Sequence, residues 1–151
     1  MTEKLSHIDD RGAACMVDVS AKPRVRRTAT AAGKIALAPA TLKLITDGML
    51  KKGDCLAAAR IAGISAAKKT ADLIPLCHNI AIDNVRVDFH TVADGIEITA
   101  KAICTDKTGI EMEALTAVAI SALTIYDMCK AVDKKMKIEN IHLMEKTKDE
   151  L

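Results

Sequence analysis

Three short stretches of this chain gather the residue types that do acid–base and anion chemistry, and each sits at or near the end of a segment with helical periodicity. In Gly48-Met-Leu-Lys-Lys-Gly53-Asp54-Cys55, Lys51 and Lys52 stand just before a helix start whose free N–H groups already carry partial positive charge. Two ammonium groups there suit an anion, and phosphate is the natural guest. The same lysines could instead cap the carboxyl end of the preceding helix. The spacing imitates the phosphate loop GxxxxGK[ST], but Asp54 and Cys55 replace its Lys and Ser or Thr, so a triphosphatase of that class is excluded.

The second stretch is Pro75-Leu76-Cys77-His78-Asn79. Adjacent residues of an extended chain point to opposite sides, and no second pair at zinc spacing accompanies Cys77 and His78, so a metal site is not expected. A ligand-contacting His78, able to donate or accept near neutral pH, is the better functional reading. The third stretch is Leu123-Thr-Ile-Tyr-Asp127-Met-Cys-Lys130-Ala-Val, where Asp127 and Lys130 share one helix face. They could be a surface ion pair. A charged pair ringed by apolar neighbours is also how an acid and a base have their pKa values moved toward neutrality. Glu111 and Glu113 suit the start of the same helix as dipole partners, and Lys68 has an i,i+4 partner in Asp72.

The elements that would position these groups can be read from periodicity. Val25 to Leu37 is strand-compatible, Ala40 to Leu50 follows Pro39 as a helix, and Asp54 caps an Ala-rich helix running to about Ile74. Ile80 to Val92 and Ile96 to Cys104 alternate around Asp94-Gly95, a type I′ hairpin signal. Thr108-Gly-Ile-Glu111 has capping-box spacing and opens a helix to about Val132, and Met136 to Leu143 reads as a closing strand. Met16 to Val19 is an arm or edge strand. The expectation is one α+β domain over residues 1–151: a ferredoxin-like β-α-β-β-α-β with its first helix split and an antiparallel sheet. The ends, 1–15 and 146–151, are expected to be flexible.

Composition removes several function classes. At 151 residues the chain can bury a core without disulfides or metals. Phe89 and Tyr126 are its only aromatic residues, so small side chains must build that core, and packing against further copies of the chain is expected. A net charge of +2 gives no overall field for nucleic acid or membrane. Five cysteines with no CxxC pair fit free thiols in a reducing compartment, and the polar first residues lack an apolar leader. A cytoplasmic protein is expected. Lys148-Asp-Glu-Leu151 spells an ER-retention signal, but that signal is read only in the lumen, so it is taken as a chance match.

At these same residues the sequence resembles the cyclic pyranopterin monophosphate synthase family of molybdenum cofactor biosynthesis. The resemblance rests on Met16-Val-Asp-Val-Ser20, Lys52-Gly-Asp54, Ala59-Arg-Ile-Ala-Gly63 and Leu73-Ile-Pro-Leu-Cys-His78. It continues in Lys107-Thr-Gly-Ile-Glu-Met-Glu-Ala-Leu-Thr116 and Ala122-Leu-Thr-Ile-Tyr-Asp-Met-Cys-Lys130, in family order. It implies a lyase that converts 3′,8-cyclo-7,8-dihydro-GTP to the cyclic phosphate product and releases pyrophosphate. No redox cofactor is implied, and magnesium accompanying the triphosphate stays open. Residue by residue, it implies a catalytic Asp127 with Lys130 beside it, and catalytic or phosphate-binding Lys52 and Lys68. It implies substrate binding by Leu76, Cys77, His78, Met112 and Glu113, and by Arg27, with Arg26 as its rival. It also implies a homo-hexamer, a trimer of dimers with active sites across subunit contacts. Cys15 stands where many relatives have His, and Asn79 where Pro is commoner. The alternative is a ferredoxin-like RNA-binding or scaffold module without catalysis; for RNA, Phe89 alone makes a poor stacking platform.

Overall fold

The computed structural model describes residues 7–150, so expectations for residues 1–6 and for Leu151 lie outside it. Its strands are β1 (Val25–Ala36), β2 (Ile82–Val92), β3 (Gly95–Asp106) and β4 (Lys137–Asp149). Its helices are α1 (Pro39–Thr46), α2 (Cys55–Ala67), α3 (Thr70–Leu73) and α4 (Glu111–Cys129). The strands form one sheet in the order β2-β3-β1-β4, every neighbouring pair antiparallel. This is the ferredoxin-like α+β plan, with the first crossover divided among three helices.

One face of the sheet carries α2 and α4. On the central strands the covered row is small, with Ala29 and Ala31 opposite Ala102 and Ala100, and α4 lays Ala114, Ala117, Val118 and Ala122 into the same core. Small side chains let backbones approach closely, and α2 exploits this at Gly63. A Cβ there would collide with the Ser121 hydroxyl and come within 2.9 Å of the Ala117 carbonyl. Ser121 donates to the Ala59 carbonyl at 3.1 Å, completing an antiparallel α2–α4 seam built with no aromatic side chain. The other sheet face is polar. Phe89, paired with Ile98, lies on the helix side under the Arg60 guanidinium, so it offers no platform to stacked bases.

Several boundaries differ from those expected. The Ala-rich helix stops at Ala67 and restarts as α3, because the chain turns at Lys68-Lys69. The capping box at Thr108 does not form: Ile110 is the N-cap residue of α4 and no side chain caps it. The hairpin loop is Ala93-Asp94 with Gly95 already paired to Val92, and neither loop residue has the positive φ a type I′ turn requires. Gly95 is needed for space instead, since a Cβ there would strike the Ile35 carbonyl of β1. β4 runs to Asp149, so residues 146–149, expected to be loose, pair with Arg26 to Ala29. Of the two readings for Met16 to Val19, the arm is the one that forms, and these residues join no strand.

Candidate active site

The antiparallel seam decides which sequence motifs meet. Asp54 caps α2 by accepting the Ala57 N–H at 3.0 Å, and Gly53, at a φ of 93° that disfavours other residues, turns the chain into that cap. Lys52 is thereby aimed at the carboxyl end of α4. Its ammonium donates to Asp127 Oδ2 at 3.0 Å and to the Asp127 backbone carbonyl at 2.9 Å. Lys130, one helical turn on, holds Asp127 Oδ1 at 2.6 Å. Two motifs 75 residues apart thus form one cluster, and Lys52 does not cap α1, whose last turn carries Lys43.

This cluster departs from one expectation. The apolar neighbours of Asp127 in sequence do not desolvate it; its side chain is 56% exposed. Hydrogen bonds from Lys130 and Lys52 pull its pKa down to about 2, and the same pairing raises that of Lys130. In the free protein the carboxylate is an ionised acceptor between two ammonium groups, rather than a group tuned to neutrality. Beneath it lie Cys55 and Cys129, both buried; the Cys55 thiol is pushed well up by its contact with Cys129 and by burial, so it stays protonated.

The remaining motifs collect at the other end of α4, around a cavity of about 420 Å³. Leu76, Cys77 and His78 line one wall, Met112 and Glu113 another, and Val17 and Lys22 of the arm close it. His78 Nε2 lies 2.7 Å from the Val17 carbonyl. A carbonyl only accepts, so Nε2 carries a proton and donates to it. Burial raises the Cys77 thiol, which therefore packs rather than attacks. Glu113 is 3% exposed, and burial lifts its carboxyl to about 7.

Arg27 lies on the helix side of β1 and donates to the Asp106 and Lys107 carbonyls at 3.2 and 3.1 Å. It lines a second cavity of about 230 Å³ with Glu111, Lys146 and Lys148, whereas Arg26 is exposed on the alternate face. Lys68 ends α2, at the same end of the helix pair as Met112, and is exposed. Its expected pair with Asp72 is not formed, because the break after Ala67 puts Asp72 in a separate helix. Among the described residues no group of three His, Cys, Asp or Glu side chains could hold a metal ion.

Sequence reasoning missed Lys22, Lys107 and Lys146. Lys107 ties the Ser20 carbonyl at 2.6 Å, and Lys146 pairs with Glu111 at 2.9 Å, so the carboxylate assigned to a capping box is held by the closing strand instead. Only the pairing of β4 with β1 exposes that role.

Comparison with known proteins agrees with the motifs. The MoaC family model matches residues 16–149. A Novosphingobium aromaticivorans protein named cyclic pyranopterin monophosphate synthase is 60% identical over 142 residues, covering 94% of this chain and 90% of its own. One of the same name from Parvibaculum lavamentivorans is 55% identical over 147 residues, covering 96% and 92%. Cyclic pyranopterin monophosphate synthase 1 of Mycobacterium bovis is 56% identical over 144 residues, covering 95% and 85%. With its matched segments folded into one lysine-bridged carboxylate and one walled cavity, this chain belongs to the MoaC family.

Proposed function

We propose that this chain is a cyclic pyranopterin monophosphate synthase: it converts 3′,8-cyclo-7,8-dihydro-GTP into the cyclic phosphate product with release of pyrophosphate. The observation that carries the reading is the Lys52–Asp127–Lys130 cluster, assembled from two family motifs at hydrogen-bond distance. Asp127 is the proton-transfer group. In the free protein it is held ionised by both lysines; an arriving triphosphate competes for those ammonium groups, and the carboxylate they release regains basicity. Lys52 and Lys130 neutralise phosphate, and Lys68 and Arg27 supply further cationic contacts. No resident cofactor is needed for ring opening and phosphate closure, which are acid–base steps.

The cluster and the cavity stand at opposite ends of α4. From Glu113 to Asp127 is fourteen residues, or about 21 Å at 1.5 Å per residue. Reaction needs ring contacts and proton-transfer groups on one bound molecule. The catalytic unit is therefore a pair of copies, with Lys52, Asp127 and Lys130 of one facing His78 and Glu113 of the other, repeated in a hexamer as a trimer of dimers. Support comes from the apolar side chains left outside on the helices, including Ile61 at 64% and Leu123 at 52% exposed. Free thiols throughout the described residues suit a cytoplasmic site of action.

The test is direct. Purified protein incubated with the cyclised nucleotide should form a product that oxidises to a fluorescent pterin, with pyrophosphate in equal amount. Folded protein that yields neither would contradict the assignment.

A further inference from the structure

At the amino end of α4 the buried oxygen without a partner, Glu113 Oε2, belongs to the ligand cavity. At the carboxyl end, beneath the Lys52–Asp127–Lys130 cluster, lies a pair of thiols that proton transfer does not use. Cys55 opens α2 and Cys129 closes α4, and they are 3% and 0% exposed. The seam that brings Lys52 to Asp127 also brings these side chains together, the Cys55 thiol donating to the Cys129 sulfur. Packing alone does not ask for two sulfurs here, since the same seam is filled elsewhere by Ala59, Gly63 and Ala122. Burial pushes the Cys77 and Cys104 thiols up. Cys129 is instead drawn down, first by the hydrogen bond from Cys55 and further by the Lys52 charge, against burial and the Asp133 charge. A thiol lowered beside a cation is the nucleophilic kind.

Resting on the function proposed above for its effect on turnover, we propose that Cys55 and Cys129 are a reversible oxidation site: a hydroperoxide joins them as a disulfide, and the cross-link displaces Asp127 and Lys130 from Lys52 and silences the enzyme. The Cys129 thiolate attacks one peroxide oxygen, breaking the O–O bond and leaving a sulfenic acid, while the departing hydroxide takes up a proton to become water. The Cys55 sulfur then attacks the Cys129 sulfur, and its proton goes to the sulfenic hydroxyl, which leaves as a second water. Two thiols lose two electrons and two protons, and one peroxide becomes two waters.

The placement of the pair couples its oxidation state to the cluster. A disulfide holds its sulfurs about 2.05 Å apart, nearer than two thiols in contact, so the start of α2 and the end of α4 must be drawn together. Cys129 stands between Asp127 and Lys130 on one turn of α4, and its backbone cannot move without moving theirs. The Lys52 bonds to the Asp127 carboxylate and carbonyl, at 3.0 and 2.9 Å, are therefore the first contacts to be lost. Peroxide is small, and both thiols lie at helix ends, the parts of helices that open most readily. The Lys52 and Asp127 side chains above them are 48% and 56% exposed, so water already reaches the cluster.

For the test, reduced, intact protein is treated with hydrogen peroxide, its remaining thiols are alkylated, and the digest is read by mass spectrometry. A peptide pair joined through Cys55 and Cys129 is expected. Turnover of the cyclised nucleotide should fall on the order of a hundredfold, the cost of an ångström-scale misplacement, and dithiothreitol should restore it. Cys55→Val removes the resolving thiol and keeps the position apolar. It should turn over like wild type before peroxide and show no loss that dithiothreitol reverses. Wild-type protein without the joined peptide, a joined peptide with undiminished turnover, or a variant that loses and regains activity as wild type does would each overturn the proposal. The wild-type measurements stand whether or not the variant folds. Because the joined peptide is read without substrate, reduced protein that never turns over would sink the lyase reading alone, and the peptide would still decide whether the site exists.

Discussion

The two ends of α4 treat a carboxylate in opposite ways. At the carboxyl end Asp127 lies open to water between two lysines, and its pKa falls to about 2. At the amino end Glu113 lies under the cavity wall with no cation bonded to it, and its pKa rises to about 7. The first end is built to hold charge and the second to withhold it. Charge partners dominate where solvent is present, and desolvation dominates where it is not.

The largest effect expected from breaking this contrast is at Asp127. Asp127→Asn keeps size and shape but removes the titrating group, so turnover should fall by a factor on the order of 10²–10⁴ while oligomeric state and melting temperature stay near wild type. A rate within about threefold of wild type, far less than loss of a general base predicts, would make the lysine-bridged carboxylate structural. Next comes Lys52→Ala, which should weaken nucleotide binding by about 1.5–3 kcal/mol with little change in stability, measurable by titration calorimetry with the cyclised nucleotide. Unchanged affinity would reduce Lys52 to a tether between α2 and α4.

The two ends should also answer to pH with opposite signs. Glu113 has a raised folded-state pKa, so its contribution is fully present below the ordinary glutamate value of about 4.3 and is lost as pH rises through about 7. Glu113→Gln should therefore gain melting temperature relative to wild type between pH 5 and pH 8. Asp127 has a depressed pKa, so its contribution is present above the ordinary aspartate value of about 3.9 and is lost only as pH falls toward 2. Asp127→Asn should therefore lie slightly below wild type above about pH 4, by little because the pair is exposed, and the gap should close as pH falls toward 2. Melting scans at pH 2.5, 5 and 8 separate the cases, and a pH-independent gap for the glutamine variant would contradict the burial argument.

The smallest contrast concerns helix starts. Asp54→Ala should cost about 1 kcal/mol because it removes a formed cap, whereas Thr108→Ala should change denaturation midpoints by less than about 0.5 kcal/mol because Thr108 caps nothing. Equal losses at the two positions would mean that the box forms in solution.

Most of the scaffold was legible because the sheet alternates cleanly over Ile96, Ile98, Ala100, Ala102 and Cys104, all buried on one face. β4 was read short because its later residues, Glu145, Lys146, Lys148 and Asp149, are charged, as an edge strand's often are, and because two register shifts against β1 break its alternation. The break after Ala67 was illegible because Lys68 and Lys69 are good helix formers. At the site, motif spacing singled out Lys52 and Asp127 separately; their contact depends on the Gly63–Ser121 seam, which no local pattern announces. The orphaned oxygen of Glu113 is likewise a property of the packed cavity, since in sequence that residue reads as an ordinary helix-start carboxylate.

The account turns on the two ends of α4 meeting across copies. Asp127→Asn and His78→Ala chains, each inactive alone, should be co-expressed with different affinity tags and purified through both. Random pairing leaves one intact site in half of the dimer units, so doubly tagged hexamers should recover about a quarter of wild-type turnover. Doubly tagged, folded assemblies that remain as inactive as either parent would contradict it.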